Sequence, residues 1–202
     1  MSVPSQIDRD RRTALLDTAL RLFDAQGYSA TTMAAVQRDA KASTGSLYHH
    51  FPSKAHLAAE LQVRALTDYQ HGFLAILAAS KPDDAETVVC ATVHFHLRWV
   101  ADHLSYARLL YTLHDPQVTA LAASRLEAIN KDFFSRIGVW YTHHLDQRRV
   151  RDIPIEVLSY IWIGPTQEAA RLHLSSGAPI DHLNKYAHDL ATAAWRAISY
   201  AP

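Results

Sequence analysis

Apolar residues recur at intervals of three and four along most of this chain, and that spacing predicts helices almost throughout. From Asp10 to Gln26, Leu15, Ala19 and Leu22 form one stripe, with Leu16, Leu20 and Phe23 beside it. Gly27 follows as a stop, because glycine takes the left-handed conformation that ends a helix without strain. Thr31 or Thr32 can cap a short second helix, MAAVQRDA, with Met33, Val36 and Ala40 on its inward face. After a break at Lys41-Ala42, Ser43 can cap a third helix, TGSLYHHF. Pro52 ends it by disfavouring helical geometry in the residue before it. Ser53 then caps a long helix from Lys54 toward Ala79.

Past Lys81-Pro82, Asp83 with Glu86 three residues later reads as a capping box that opens a helix toward Asp102. A shorter helix is expected from Leu104 to His114. Asp115-Pro116 starts another, in which Ala122, Leu126, Ile129, Phe133, Ile137 and Trp140 hold the rhythm. DQRRVRD, residues 146–152, reads as a loop. Pro154 suits a first helical turn. The helix it opens should run to Ser176 and bend at Gly164-Pro165, where proline removes a backbone donor. Gly177 closes it, and a last helix spans Asp181 to Tyr200. No run alternates apolar and polar residues long enough to suggest a strand. The expected fold class is therefore all-α. An N-terminal three-helix helix-turn-helix domain fills residues 1–53, and a larger helical domain fills 54–202, joined by the helix that begins at Lys54.

Composition changes this picture little. Apolar residues make up 49% of the 202 and charged residues 20%, as in ordinary packed proteins. Lys+Arg and Asp+Glu each number 20, so no overall field favours a polyanion. Through Glu60 the chain holds seven Lys/Arg against six acids, and charge alone does not mark this region either. One cysteine, Cys90, excludes an intrachain disulfide. The polar start MSVPSQIDRDRR lacks a signal-peptide core, and no apolar run reaches the ~20 residues of a membrane span. A cytoplasmic protein without membrane association is expected.

The segment STGSLYHHFPSK, residues 43–54, is where function becomes legible. Two short helices joined by a tight break form a helix-turn-helix, whose second helix enters the DNA major groove. Such a helix needs small groups near its N-terminus, and Thr44, Gly45 and Ser46, following the capping Ser43, supply them. Hydroxyls can bond base edges, and a threonine methyl can touch thymine. Leu47 and Phe51, four apart, would anchor the helix inward. Tyr48, His49 and Lys54 would then reach phosphates, which fix register without reading sequence. The free amides of the helices capped by Thr32 and Ser53 are further phosphate sites.

Residues 9–57 resemble the DNA-binding domain of the TetR/AcrR family of bacterial transcriptional regulators. The matching strings are ALRLFDAQGYSATT, 19–32, and STGSLYHHFPSKAHL, 43–57. The resemblance implies that Thr44, Ser46 and His49 lie on the recognition helix and that Tyr48 and Lys54 contact phosphates. The chain departs from the family pattern at Val36-Gln37, where Ile-Ala is usual, and at Lys41, where glycine usually makes the turn. A non-glycine residue at positive φ costs roughly a kcal/mol, so this turn is expected to be strained or reshaped. Lys41 could also add a phosphate contact.

The resemblance further implies a homodimer packed through its last two helices. Tyr160, Trp162 and Leu172, with Ala191, Ala194 and Ala197 permitting close approach, are the candidate interface. Two-fold symmetry then implies double-stranded operator DNA with recognition helices ~34 Å apart. It also implies a pocket for a small-molecule effector in the aromatic middle. Phe95, Trp99, Tyr106, Tyr111, Phe133 and Trp140 are the candidate lining. The expected function is a ligand-responsive regulator, most simply a repressor released by a small apolar or aromatic effector. The alternatives are a DNA-bound dimeric scaffold without a ligand and a helical metal-dependent enzyme. Cys90 and His94 are four apart on a helix, but two ligands do not make a metal site. No nucleophile, base and orienting group stand together, so no catalysis and no cofactor are expected.

Overall fold

The computed structural model describes residues 6–81, 83–177 and 181–200. Among these, eleven helices follow in order: α1 Gln6–Gln26, α2 Met33–Asp39, α3 Thr44–His50, α4 Lys54–Ala79, α5 Ala85–Asp102 and α6 Leu104–Thr112. They continue with α7 Pro116–Asp146, α8 Ile155–Trp162, α9 Gly164–Ser176, α10 Asp181–Asn184 and α11 Ala187–Ile198. The fold is all-α; a lone antiparallel bridge, Val150 to Ser199, is the extended pairing found among the described residues.

The chain divides into two compact units. The first runs through Leu66 and takes in Ser105–Glu127; the second comprises Thr67–Leu104 and the residues from Ala128 on. The division thus falls inside α4 rather than at residue 53. In the first unit, Leu15, Leu16 and Ala19 of α1 are buried together with Val36, Leu47, Leu57 and Leu61. Each large side chain so removed from water contributes ~1.5–3 kcal/mol. Polar links fasten the inserted segment 105–127. Asp24 accepts from Ser105 Oγ and from Arg108, both at 2.8 Å. The Glu60 carboxylate takes Arg12 at 2.8 Å and both terminal nitrogens of Arg125. Burial works to raise the Glu60 pKa, but the hydrogen bonds from Arg125 and Arg12 outweigh it and hold the group below its ordinary value.

In the second unit, α5 buries Val88, Val89, Thr92, Val93, His96, Leu97 and Val100, a stripe at helical spacing. It packs chiefly on α11, which also meets α8. Tyr141 pins the loop before α8: its hydroxyl accepts from Ile153 N–H at 2.7 Å and lies 2.6 Å from the Arg151 carbonyl, to which it donates.

Most predicted signals act where expected. Gly27 (φ 83°) ends α1, and Gly177 (φ 69°) ends α9. Asp115 accepts from the amides of Gln117 and Val118 at the start of α7. Three expectations need correction. The cap of α5 is Asp84, whose carboxylate accepts from Thr87 N–H at 3.2 Å; Asp83 instead receives Arg149 at 2.6 Å. The helix after Pro154 does not merely bend but separates at Ile163, with Pro165 in the first turn of α9. The final helix is interrupted at Lys185-Tyr186 into α10 and α11. Residues 178–180 and Pro82 lie outside the described residues.

Candidate nucleic-acid interface

The candidate surface is built by α2, α3 and the turn between them. Thr32 Oγ1 accepts from Ala35 N–H and Ser43 Oγ from Ser46 N–H, both at 3.1 Å, so each short helix starts where its hydroxyl predicts. Thr31, the other cap candidate, is buried and donates to the Gly27 carbonyl. The turn is a Schellman closure, with Lys41 N–H bonding the Arg38 carbonyl at 3.1 Å and Ala42 N–H the Gln37 carbonyl at 3.0 Å. Lys41 sits at φ 51°, the left-handed position usually given to glycine. The Gln37 side chain supports it by donating to the Ala42 carbonyl at 3.1 Å. The departures at positions 37 and 41 thus meet in one turn.

On α3, Leu47 and Phe51 are buried, with 1% and 2% of their surfaces exposed. Arg12 lies over the Phe51 ring, 5.2 Å from its centre. The opposite face presents Thr44, Gly45, Tyr48 and His49 to solvent, with Ser46 half-buried. A Cβ added to Gly45 would meet no protein atom within 4 Å, so packing inside the chain does not require glycine there. A polar cleft beside this face is lined by Arg11, Lys41, Ser43 and Ser46, among others. Neighbouring Arg38 is exposed, while Arg21 is held at 2.9 Å by Asp39. That hydrogen bond, first among its causes, keeps the Asp39 carboxyl below its ordinary pKa.

Lys54 differs from its expected role. Its ammonium donates to the carbonyls of Tyr28 and Ser29 at 2.7 and 3.1 Å and stands 4.4 Å from the Tyr28 ring centre. These bonds occupy the charge in closing the turn after α1 rather than offering it to a phosphate. Ser53 begins α4 as expected, its hydroxyl 3.4 Å from His56 N–H and 2.9 Å from His56 Nδ1.

A second candidate site lies in the unit that begins at Thr67. Its cavity, about 660 Å³ including the space at its mouth, is walled by Tyr69, Phe73, Phe133, Ile137, Leu158 and Trp162. Ser159 and Gln167 supply polar groups. Of the six expected lining residues only Phe133 reaches it. Phe95 and Trp99 pack behind it on Tyr69, their ring centres 5.6 and 5.4 Å away. Trp140 stands behind Trp162 at 5.1 Å, its Nε1 buried without a hydrogen-bond partner. Tyr106 and Tyr111 belong to the other unit. Sequence reasoning also missed two buried polar pairs beside the wall. Trp162 Nε1 donates to Thr92 Oγ1 at 3.0 Å, and the Tyr69 hydroxyl lies 3.0 Å from His96 Nδ1. Burial pushes the His96 pKa down to about 4.

The expected interface residues divide. Tyr160 and Leu172 are exposed at 71% and 53%. Trp162 is 2% exposed and belongs to the cavity wall, while Ala191 and Ala194 are buried on the helix that packs on α5. Small residues at helical spacing permit close approach within one chain as readily as between two, and here they serve the former. Ala197 is half-buried. Among the described residues no helix is long and apolar enough to cross a membrane.

The segment that holds these helices is similar to known proteins. A family model described as bacterial regulatory proteins, tetR family, matches residues 15–61. The HTH-type transcriptional repressor KstR of Mycolicibacterium smegmatis is 43% identical over 53 residues, 26% of each chain. The HTH-type transcriptional repressor KstR2 of Rhodococcus jostii is 32% identical over 127 residues, 61% of this chain and 59% of that one. This chain therefore spans from about a quarter to three-fifths of the length of these relatives. The solved structure of the transcriptional regulator FadR from Bacillus subtilis, in complex with stearoyl-CoA, superposes with a TM-score of 0.73 at 12% identity. It covers 90% of this chain and 96% of that one, a likeness of fold.

Proposed function

We propose that this chain, whose residues 15–61 are a tetR-family regulatory domain, acts as a homodimeric transcriptional repressor on double-stranded operator DNA. The observation that carries the reading is the outward face of α3. Small and hydroxyl-bearing residues stand exposed there over a helix locked inward by Leu47 and Phe51. Gly45 is bare although nothing in the protein requires it to be. An outside surface that approaches closely, such as a base edge, supplies the missing reason. Thr44 and Ser46 would meet bases, while Tyr48, His49, Lys41 and the cap residues Thr32 and Ser43 would hold phosphates. Residues 1–53 hold this surface, and 54–202 serve ligand binding and dimerisation.

A two-fold dimer matches a near-palindromic site with half-sites ~34 Å apart. Tyr160 and Leu172 are the side chains of the original interface set that remain free to form it. The effector is a small molecule, apolar or aromatic, seated in the cavity walled by Phe73, Phe133 and Trp162. FadR, similar in fold, was solved with stearoyl-CoA, a ligand that is largely apolar in its acyl chain. A ligand that prefers the state off DNA by ~1–3 kcal/mol suffices to release the operator. The protein would act in the cytoplasm.

The test is salt-dependent binding to DNA from upstream of the protein's own gene, with scrambled DNA and a Thr44→Ala/Tyr48→Ala variant as controls. Tight, selective binding by the wild type and loss in the variant are expected. Equal weak binding to every fragment, followed by a random-sequence selection that enriches nothing, would overturn the reading.

A further inference from the structure

One cluster of metal-ligating side chains is found among the described residues, and it shares His49 with the outward face of α3. Asp8 in the first turn of α1 and His49 and His50 in the last turn of α3 each bring a ligand atom within 4.8 Å of the others. His50 Nε2 stands 3.4 Å from Asp8 Oδ1. The two imidazoles meet edge to face, with centres 5.3 Å apart. The His50 side chain is 7% exposed and that of Asp8 41%. One ligand is therefore fixed by packing, while the exposed His49 ring can turn.

We propose that Asp8, His49 and His50 bind a divalent first-row transition cation, with zinc the ion that suits the set. Two imidazoles and a carboxylate are donors that zinc accepts. Metal–ligand bonds of ~2.1 Å place tetrahedral donors about 3.4 Å from one another. The His50–Asp8 pair already stands at that separation, and rotation of the exposed His49 ring closes the third side. The C-terminal end of α3, where both histidines lie, carries the negative pole of the helix and favours a cation. Arg12, one turn beyond Asp8 on α1, is directed to Glu60 and lies over the Phe51 ring. Three protein ligands leave a fourth position open to water or another oxygen donor. The cation would join the start of α1 to the end of α3 and place positive charge beside His49. Its consequence for DNA rests on the proposed function; metal binding itself does not.

The experiment is titration calorimetry of zinc chloride into the full chain at pH 7.5, after chelator treatment and dialysis. Asp8→Asn and His49→Gln remove single ligands, and His143→Gln, on α7, is a control for the chain's other histidines. One zinc per chain is expected, with affinity reduced at least ~10-fold in each ligand variant and unchanged in the control. Thermal unfolding without metal checks that the variants fold; zinc should raise the wild-type transition and leave theirs unmoved. No zinc binding, or binding insensitive to Asp8→Asn and His49→Gln, overturns the site. Operator binding with and without zinc separates the two readings. Zinc bound by a protein that selects no DNA keeps the site and sinks the regulator. Selective DNA binding without zinc uptake does the reverse.

Discussion

On the proposed function, replacing Lys41 by glycine should stabilise the protein and weaken its binding to DNA. Lys41 holds φ 51°, where an L-residue is crowded by its own Cβ, at a cost of ~1–2 kcal/mol. Glycine removes that strain, but its freedom in the unfolded chain takes back ~0.4–1 kcal/mol. Both hydrogen bonds of the turn are made by backbone atoms and survive the change. The exposed lysine side chain contributes little burial. The net gain is ~0.5–1 kcal/mol, or a melting temperature higher by ~1–4 °C. Lysine's charge leaves with it. Each phosphate contact contributes ~0.9 to the slope of log affinity against log salt. The two-fold complex proposed above would lose two such contacts, and its slope should flatten by ~1.8.

Two comparison variants separate these effects. Lys41→Ala loses the charge but keeps a Cβ at positive φ, so the slope flattens without thermal gain. Arg148→Gly relieves the corresponding strain at φ 54° in the other compact unit, raising the melting temperature while leaving the slope unchanged. Calorimetry and fluorescence anisotropy at several salt concentrations give both numbers. A Lys41→Gly protein no more stable than wild type would refute the strain argument. An unchanged slope would refute the phosphate contact.

Three further outcomes follow from two buried side chains, His96 and Trp162, and the half-buried Glu60. His96 has its pKa lowered from 6.5 to about 4 by burial, so the unfolded chain takes the proton first. Its contribution is complete above pH 6.5 and is lost as pH falls toward 4; at ~1.4 kcal/mol per pH unit this amounts to about 3 kcal/mol. His96→Gln should remove that acid limb from a chemical-denaturation series, and an unaltered limb would contradict the assignment. Glu60 also has a lowered pKa, so its stabilising share is present above its ordinary value of 4.5 and disappears as pH drops below it. Glu60→Gln should be less stable at neutral pH and show a smaller loss on acidification to pH 3. Trp162→Phe keeps a ring in the cavity wall and removes the N–H that Thr92 Oγ1 accepts, while the Thr92 hydroxyl keeps its donated bond to the Val88 or Val89 carbonyl. The substitution should cost ~1 kcal/mol by denaturation, against ~3–5 for Trp162→Ala.

Local chemistry was readable from the chain, and distant pairing was not. Thr32, Ser43, Asp115, Gly27 and Gly177 announce helix ends because a cap or a left-handed stop depends on neighbours within three or four residues. The interruption at Lys185-Tyr186 carries neither glycine nor proline and gave no such notice. Aromatic residues at helical spacing marked the region of the cavity but not its wall. Whether Trp99 or Trp162 faces the space is decided by what packs from other helices. Lys54 bears the charge and position of a phosphate ligand, yet carbonyls some 25 residues earlier in the chain claim it. Asp8 offered no sign at all, since its histidine neighbours are remote in sequence.

The inserted segment also sets a timetable for synthesis. The last residue of α3, His50, leaves the ribosome early, but the unit that contains it includes Ser105–Glu127. Asp24 and Glu60 have no Arg108 or Arg125 to meet until that later stretch emerges. At ~5–20 residues per second, these links form several seconds after the first three helices have emerged. A gene truncated after the first three helices would therefore encode Asp24 without the Ser105 and Arg108 that bind it in the whole chain.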